Sequence, residues 1–121
     1  MQHVTHVNDQ LSAKDLFDDF ELQLAKDFQQ SNFETGFIED LQPDYNHILE
    51  KIVLELQRSE KRADSDVLQL LYRIDISESQ LKKYLNKDNN KNHWMTIAEL
   101  IIKRVLQKVV TKRFYKKNEN L

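Results

Sequence analysis

The stretch LLYRIDISESQLKKYL, residues 70–85, contains the end of one helix and the start of another. Ser77 and Gln80 have the spacing of a capping box, in which each side chain accepts a hydrogen bond from the backbone N–H of the other residue. Ile76 precedes the serine and is placed to pack on Leu81 as a hydrophobic staple. Asp75 stands where such turns usually carry glycine, and aspartate tolerates the left-handed conformation. The stretch therefore predicts two helices joined by a tight turn.

The rest of the chain has the same helical character. One Gly and one Pro among 121 residues are too few for the many turns of a β-rich fold. Apolar residues recur at helical spacing in five segments, at about residues 12–31, 43–56, 66–74, 77–85 and 94–115. We expect one all-α domain, a compact bundle of four to five helices of which the last is the longest. Residues 1–8 and 117–121 are expected to fray.

The composition argues against the common classes of enzyme. The absence of Cys excludes disulfides, thiolate metal sites and a cysteine nucleophile. A single Gly is incompatible with a P-loop or a dinucleotide-binding loop, because both need several glycines where the backbone approaches phosphate. The sequence also lacks the HExxH zinc motif and the nucleophile elbow of hydrolases. We expect a non-enzymatic protein without cofactor, metal or small-molecule ligand.

The sequence carries no signal for export or membrane insertion. The first ten residues, MQHVTHVNDQ, lack the apolar core and basic flank of a secretory signal. No apolar run approaches the ~20 residues that a membrane-spanning helix requires. We therefore expect a soluble, cytoplasmic protein.

The connector between the first two predicted helices, residues 32–42, is unusually apolar for a loop. It contains Phe33, Phe37, Ile38 and Leu41. Two interpretations are open. Either these side chains plug the end of the core, or they form an exposed docking patch, because contiguous exposed apolar surface marks interfaces. Under the second interpretation the four residues are candidate partner-binding residues.

Charge is distributed unevenly along the chain. Residues 1–60 carry 13 acidic and four basic side chains, a formal charge of -9, whereas residues 61–121 carry +7. Such a polarised chain pairs its own halves, stacks head to tail, or offers its basic end to an anionic partner.

The apolar stripe of the last predicted helix turns basic after Val110. At the same helical positions come Lys112, Arg113, Lys116 and Lys117. Burying four cations without partners is prohibitive, so the helix must leave the core near Val110. Its end then frays, lies against the acidic first helix of the same chain or of a dimer partner, or contacts nucleic acid or another anionic surface.

Residues 71–85 are similar to the general helix-turn-helix pattern of DNA-binding modules. In such modules the start of the second helix faces the base edges, which here makes Gln80, Lys82 and Lys83 candidate contacts. The acidic residues that surround the motif would repel phosphates and weaken this interpretation; they are Asp64, Asp66, Asp75 and Glu78.

Two functional hypotheses follow. The first is a non-enzymatic protein–protein interaction module, with self-association as a homodimer as one form, which uses residues 33–41 or the last helix. The alternative is a small nucleic-acid-binding protein that uses the helix-turn-helix-like segment 66–85 together with the basic C-terminal helix.

Overall fold

The computed structural model describes Asn8, Gln10, Leu11 and residues 13–58, 64–87 and 93–119, with side chains undescribed at 14, 64, 65, 84–87 and 117–119. A 3-10 helix, Gly36–Asp40, lies between the first two of five α-helices, and no strand occurs in the described part. The α-helices are α1 (Lys14–Gln30), α2 (Tyr45–Arg58), α3 (Asp64–Arg73), α4 (Glu78–Lys87) and α5 (His93–Glu119). The prediction of an all-α bundle with the longest helix last is confirmed.

Helix α5 is the centre of the bundle. It packs most extensively on α2 and α1, while α4 also lies against it and α3 packs on α1. Its core-facing residues recur every three or four positions, as expected for one buried stripe. These are Ile97, Ala98, Ile101, Ile102, Val105, Leu106 and Val109. Within the described residues, none of the helices combines the length and the apolar character needed to cross a membrane.

Helix α3 ends in a Schellman motif, the six-residue C-terminal turn in which the residue after the cap is left-handed. The backbone N–H of Ile76 donates to the carbonyl of Leu71 at 2.9 Å, and that of Asp75 donates to Tyr72 at 3.1 Å. Asp75 has φ of 64°. It therefore takes the left-handed conformation that the sequence required of it in place of glycine.

Helix α1 ends in the same way. Asn32 has φ of 68°, and the backbone N–H of Phe33 donates to the carbonyl of Phe28 at 3.0 Å. The apolar contact that accompanies this motif is made by two aromatic rings. The Phe33 ring meets that of Phe28 edge to face, with centroids 5.4 Å apart. The turn thus directs the connector back onto the core.

The structure decides between the two interpretations of the connector. Phe33, Ile38 and Leu41 are buried. Phe37 is half-buried, and its ring packs edge to face on Phe28 with centroids 5.3 Å apart. Side chains that fill the end of the core present no contiguous apolar surface to a partner. The first of the two interpretations, a plug on the core, therefore describes these four residues.

The capping box at the start of α4 is confirmed in both directions. The backbone N–H of Gln80 donates to Ser77 Oγ at 3.2 Å, and the backbone N–H of Ser77 donates to Gln80 Oε1 at 3.2 Å. Ile76 is buried and Leu81 packs against the core, as a hydrophobic staple requires. The turn between α3 and α4 is therefore fixed on both sides, by the Schellman motif before it and the capping box after it.

Removing the cap is expected to destabilise the fold. We predict that Ser77→Ala lowers the free energy of unfolding by about 1 kcal/mol, because the backbone N–H of Gln80 loses the hydroxyl that accepts its hydrogen bond. Ser77→Asn is the control, since its side-chain oxygen accepts the same hydrogen bond and asparagine caps helices about as well as serine. Urea denaturation followed by circular dichroism measures both. Equal losses for the two variants would contradict a capping role for the side chain of residue 77.

Candidate functional site

Four cations form a ridge along α5. Arg104, Lys108, Lys112 and Lys116 follow one another at intervals of four residues. Four residues advance a helix by about 6 Å and keep side chains on one gently winding row. Side chains of this row lie beside α1 and the end of α3, as their contacts show. We call these four residues the basic ridge.

Helix α1 runs antiparallel to α5, and its polar side chains contact cations in the C-terminal half of α5. The Lys112 ammonium donates to Gln23 Oε1 at 2.7 Å, and the Arg113 guanidinium donates to Asp19 Oδ2 at 2.8 Å. Of the three alternatives for the end of α5, pairing with the acidic first helix of the same chain is the one found at Arg113.

The most buried of these polar contacts between α1 and α5 is an ion pair. Lys108 Nζ lies 3.4 Å from Asp27 Oδ2, and the two side chains are 18% and 6% exposed. Gln23 donates to the other carboxylate oxygen of Asp27 at 3.2 Å. The Lys108 ammonium also donates to the backbone carbonyl of Arg73 at 2.8 Å, so it satisfies one of the free carbonyls at the end of α3. One lysine thus connects α1, α3 and α5.

Next to this ion pair, helices α1, α3 and α5 form an open groove of about 780 Å³. Its lining carries five cationic side chains and two carboxylates, Asp27 and Asp75, which leaves a formal excess of three positive charges. Three glutamine side chains and Tyr72 complete most of the lining. The cations are Lys26, Arg73, Arg104, Lys108 and Lys112. We call this surface the basic groove.

Only some of the groove cations form ion pairs or hydrogen bonds within the chain. Arg104 pairs with Asp75 at 3.4 Å, and Arg73 donates to the side-chain oxygen of Gln30 at 2.8 Å. Among the residues that the structure describes, Lys26 has neither an ion pair nor a hydrogen bond through its side chain. Tyr72 is 83% exposed at the groove. Charge and aromatic surface are therefore available to a partner from outside.

A smaller recess of about 330 Å³ continues the basic surface toward the end of α5. Lys26 and Lys112 line both hollows, and Arg113 and Lys116 line only the recess. Its carboxylate is that of Asp19, which the Arg113 guanidinium already binds. The positive surface thus extends along the whole basic ridge.

The start of α1 carries exposed carboxylates. Asp15 and Asp18 are exposed there, and Glu21 lies about one turn further along the helix. Partial burial, and the nearby negative charge of Asp18, raise the pKa of the Glu21 carboxyl. The first turns of α1 therefore place carboxylates next to the recess, whose own lining includes Asp19.

The residues predicted to contact nucleic acid lie on separate surfaces. Lys112, Arg113 and Lys116 belong to the groove and recess, whereas none of the described side chains of α4, residues 78–83, lines either hollow. Lys82 and Lys83 are exposed on α4. The side chain of Lys117 lies outside the described residues.

Gln80 has little freedom to read a base. Its Oε1 accepts the hydrogen bond from the backbone N–H of Ser77, as described above for the capping box. The side chain lines a shallow recess against Lys103 and Arg104 of α5. It therefore contributes to the helix start and to the contact between α4 and α5.

Most of the groove was not predicted from the sequence. The cations after Val110, where the apolar stripe turns basic, were among the predicted contacts, but Lys26, Arg73, Arg104 and Lys108 were not. The interval of four residues from Arg104 to Lys116 was visible in the sequence. The contribution of α3 was not, because it depends on how three helices pack.

Comparison of the chain with protein-family models, with curated proteins and with solved structures finds no match. Its own residues are therefore the basis for a functional proposal.

Proposed function

We propose that this protein is a non-enzymatic protein-interaction module that binds an acidic segment of a partner protein in the basic groove. The observation that carries the proposal is the excess of cations over carboxylates in a concave surface formed by α1, α3 and α5. The chain as a whole has a formal charge of -2. A positive groove on a protein of net negative charge directs an anionic partner to one place.

The chemistry of the groove favours binding over catalysis. Among the described residues, its lining contains no histidine, cysteine or serine, the side chains that most often serve as base or nucleophile. Both of its carboxylates are already paired with cations, Asp27 with Lys108 and Asp75 with Arg104. Lysines, arginines and glutamines instead supply hydrogen-bond donors suited to carboxylates.

An acidic protein segment suits this surface better than a nucleic acid does. The basic groove and its recess form a short region, and the start of α1 beside the recess carries the exposed carboxylates of Asp15 and Asp18. A duplex extends well beyond such a region and would meet this repulsion. The helix-turn-helix alternative also requires Gln80, whose Oε1 is engaged in the capping box.

Charge reversal in the groove tests the proposal. We predict that Lys26→Glu/Lys112→Glu weakens binding of a glutamate-rich peptide about tenfold, or ~1.4 kcal/mol, through lost attraction and new repulsion. Raising the salt concentration is expected to weaken binding to the unaltered protein, because the groove cations are open to solvent. Titration calorimetry, or the anisotropy of a labelled peptide, measures both effects.

Lys82→Glu/Lys83→Glu is the matched control, since both lysines are exposed on α4 and line neither hollow. It makes the same change of net charge and should leave peptide affinity nearly unchanged. If the two double variants lose affinity equally, the groove is not the binding surface. If labelled DNA binds more tightly than the peptide and the α4 variant weakens it, the nucleic-acid alternative replaces the proposal.

A further inference from the structure

We infer that the segment bound in the basic groove is an α-helix with acidic side chains at every fourth position. This inference rests on the proposed function and specifies the partner's conformation. Its basis is the geometry of the basic ridge, in which Arg104, Lys108, Lys112 and Lys116 repeat at intervals of four. Carboxylates four residues apart on a second helix advance by the same ~6 Å and meet successive cations in register.

Helix α1 already shows that this arrangement pairs with α5. Asp19, Gln23 and Asp27 are themselves four residues apart. Gln23 and Asp27 contact the ridge residues Lys112 and Lys108, at 2.7 and 3.4 Å, and Asp19 binds Arg113 beside the ridge at 2.8 Å. Two rows of side chains at intervals of four, on neighbouring helices, interdigitate in the commonest mode of helix packing. A partner helix on the open side of the ridge repeats this contact with the cations that α1 leaves in excess.

The groove supplies what a docked helix needs beyond charge. Lys26 and Arg73 stand on the walls contributed by α1 and α3, so cations reach the groove from all three helices. Tyr72 offers an exposed ring for an apolar residue of the partner. The groove is open on one side. A partner helix, about 10 Å across, therefore inserts one face and leaves the other face in solvent.

Two peptides of identical composition separate the spacing from the charge. Both are alanine-rich and about 20 residues long, because shorter helices are marginal in water. One carries glutamates four residues apart, in a single row. The other carries them five apart, which turns each glutamate by about 140° and spreads them around the helix. Circular dichroism checks that both are helical to the same extent.

We expect the single-row peptide to bind about tenfold more tightly than the other, and Lys26→Glu/Lys112→Glu to remove most of this difference. Equal affinities, both reduced by the double variant, would overturn the inference and leave the proposed function standing. A failure of both peptides to bind would overturn both. Tighter binding of the peptide with spread glutamates would also contradict the inference.

Discussion

Phe28→Ala is expected to lower the free energy of unfolding by about 4 kcal/mol, within the range measured for removing buried aromatic rings. Phe28 has no solvent exposure. Its ring contacts the rings of Phe33 and Phe37 edge to face, with centroids 5.4 and 5.3 Å away. Truncation leaves a cavity and also removes two aromatic contacts, each worth about 1 kcal/mol beyond buried area. Small domains are stable by only about 5–15 kcal/mol, so the variant is expected to unfold at low urea.

Phe114→Ala is the control for this variant. Phe114 is also a helical phenylalanine, but its side chain is 61% exposed near the end of α5. Its truncation is expected to change the free energy of unfolding by less than about 0.5 kcal/mol. Urea denaturation followed by circular dichroism compares the two. A loss below about 1 kcal/mol for Phe28→Ala would contradict the central position of this ring.

The local features of the fold were predictable because they depend on residues close in sequence. Ser77 and Gln80 form the predicted capping box through their own backbone groups. Asp75 is left-handed because a Schellman turn requires it there. Five helices follow from apolar spacing in the same way. None of these features depends on which helices are neighbours.

The burial of the connector side chains did not follow from the local sequence alone. Its sequence is compatible with either a core plug or an exposed patch, because apolar composition does not specify what covers a side chain. Burial is decided by the turn at Asn32, which brings Phe33 against Phe28. Asparagine at the end of a helical pattern is itself a signal for this turn. Read with the adjacent Phe33, it would have favoured the plug.

The basic groove was less accessible to sequence reasoning. The end of α5 was correctly expected to leave the core, since the described side chains after Val109, residues 110–116, are exposed. The sequence left open whether the acidic and basic halves meet within one chain. The Asp19–Arg113 and Asp27–Lys108 contacts show that they do. These pairs are separated by more than 80 residues along the chain, so no local pattern predicts them.

The cations of the groove and its recess outnumber the acids that pair with them. Asp19, Asp27 and Asp75 together face the seven cations that line the groove and its recess. Pairing within the chain therefore orients the cations without neutralising them. Arginines and lysines held in place by existing contacts lose less conformational freedom when a partner binds. The same contacts that stabilise the fold thus prepare the groove for its proposed ligand.

Breaking the Asp27–Lys108 pair is expected to be the most costly change among the charged residues. We predict that Asp27→Leu lowers the free energy of unfolding by about 3 kcal/mol, because it leaves the Lys108 ammonium largely buried and without its carboxylate. Lys108→Met is expected to cost a similar amount, since it leaves the Asp27 carboxylate with only the hydrogen bond from Gln23. It also removes the donor to the Arg73 carbonyl.

The double variant Asp27→Leu/Lys108→Met is expected to recover most of the loss, because apolar residues of similar size often replace a buried ion pair without net cost. The Arg104–Asp75 pair provides a control at the same 3.4 Å separation, but with side chains 34% and 64% exposed. Its cycle, Arg104→Met and Asp75→Asn, is expected to give a coupling energy below about 1 kcal/mol. Double-mutant cycles in urea measure both couplings. Equal coupling energies would show that burial of Asp27 does not strengthen its interaction with Lys108.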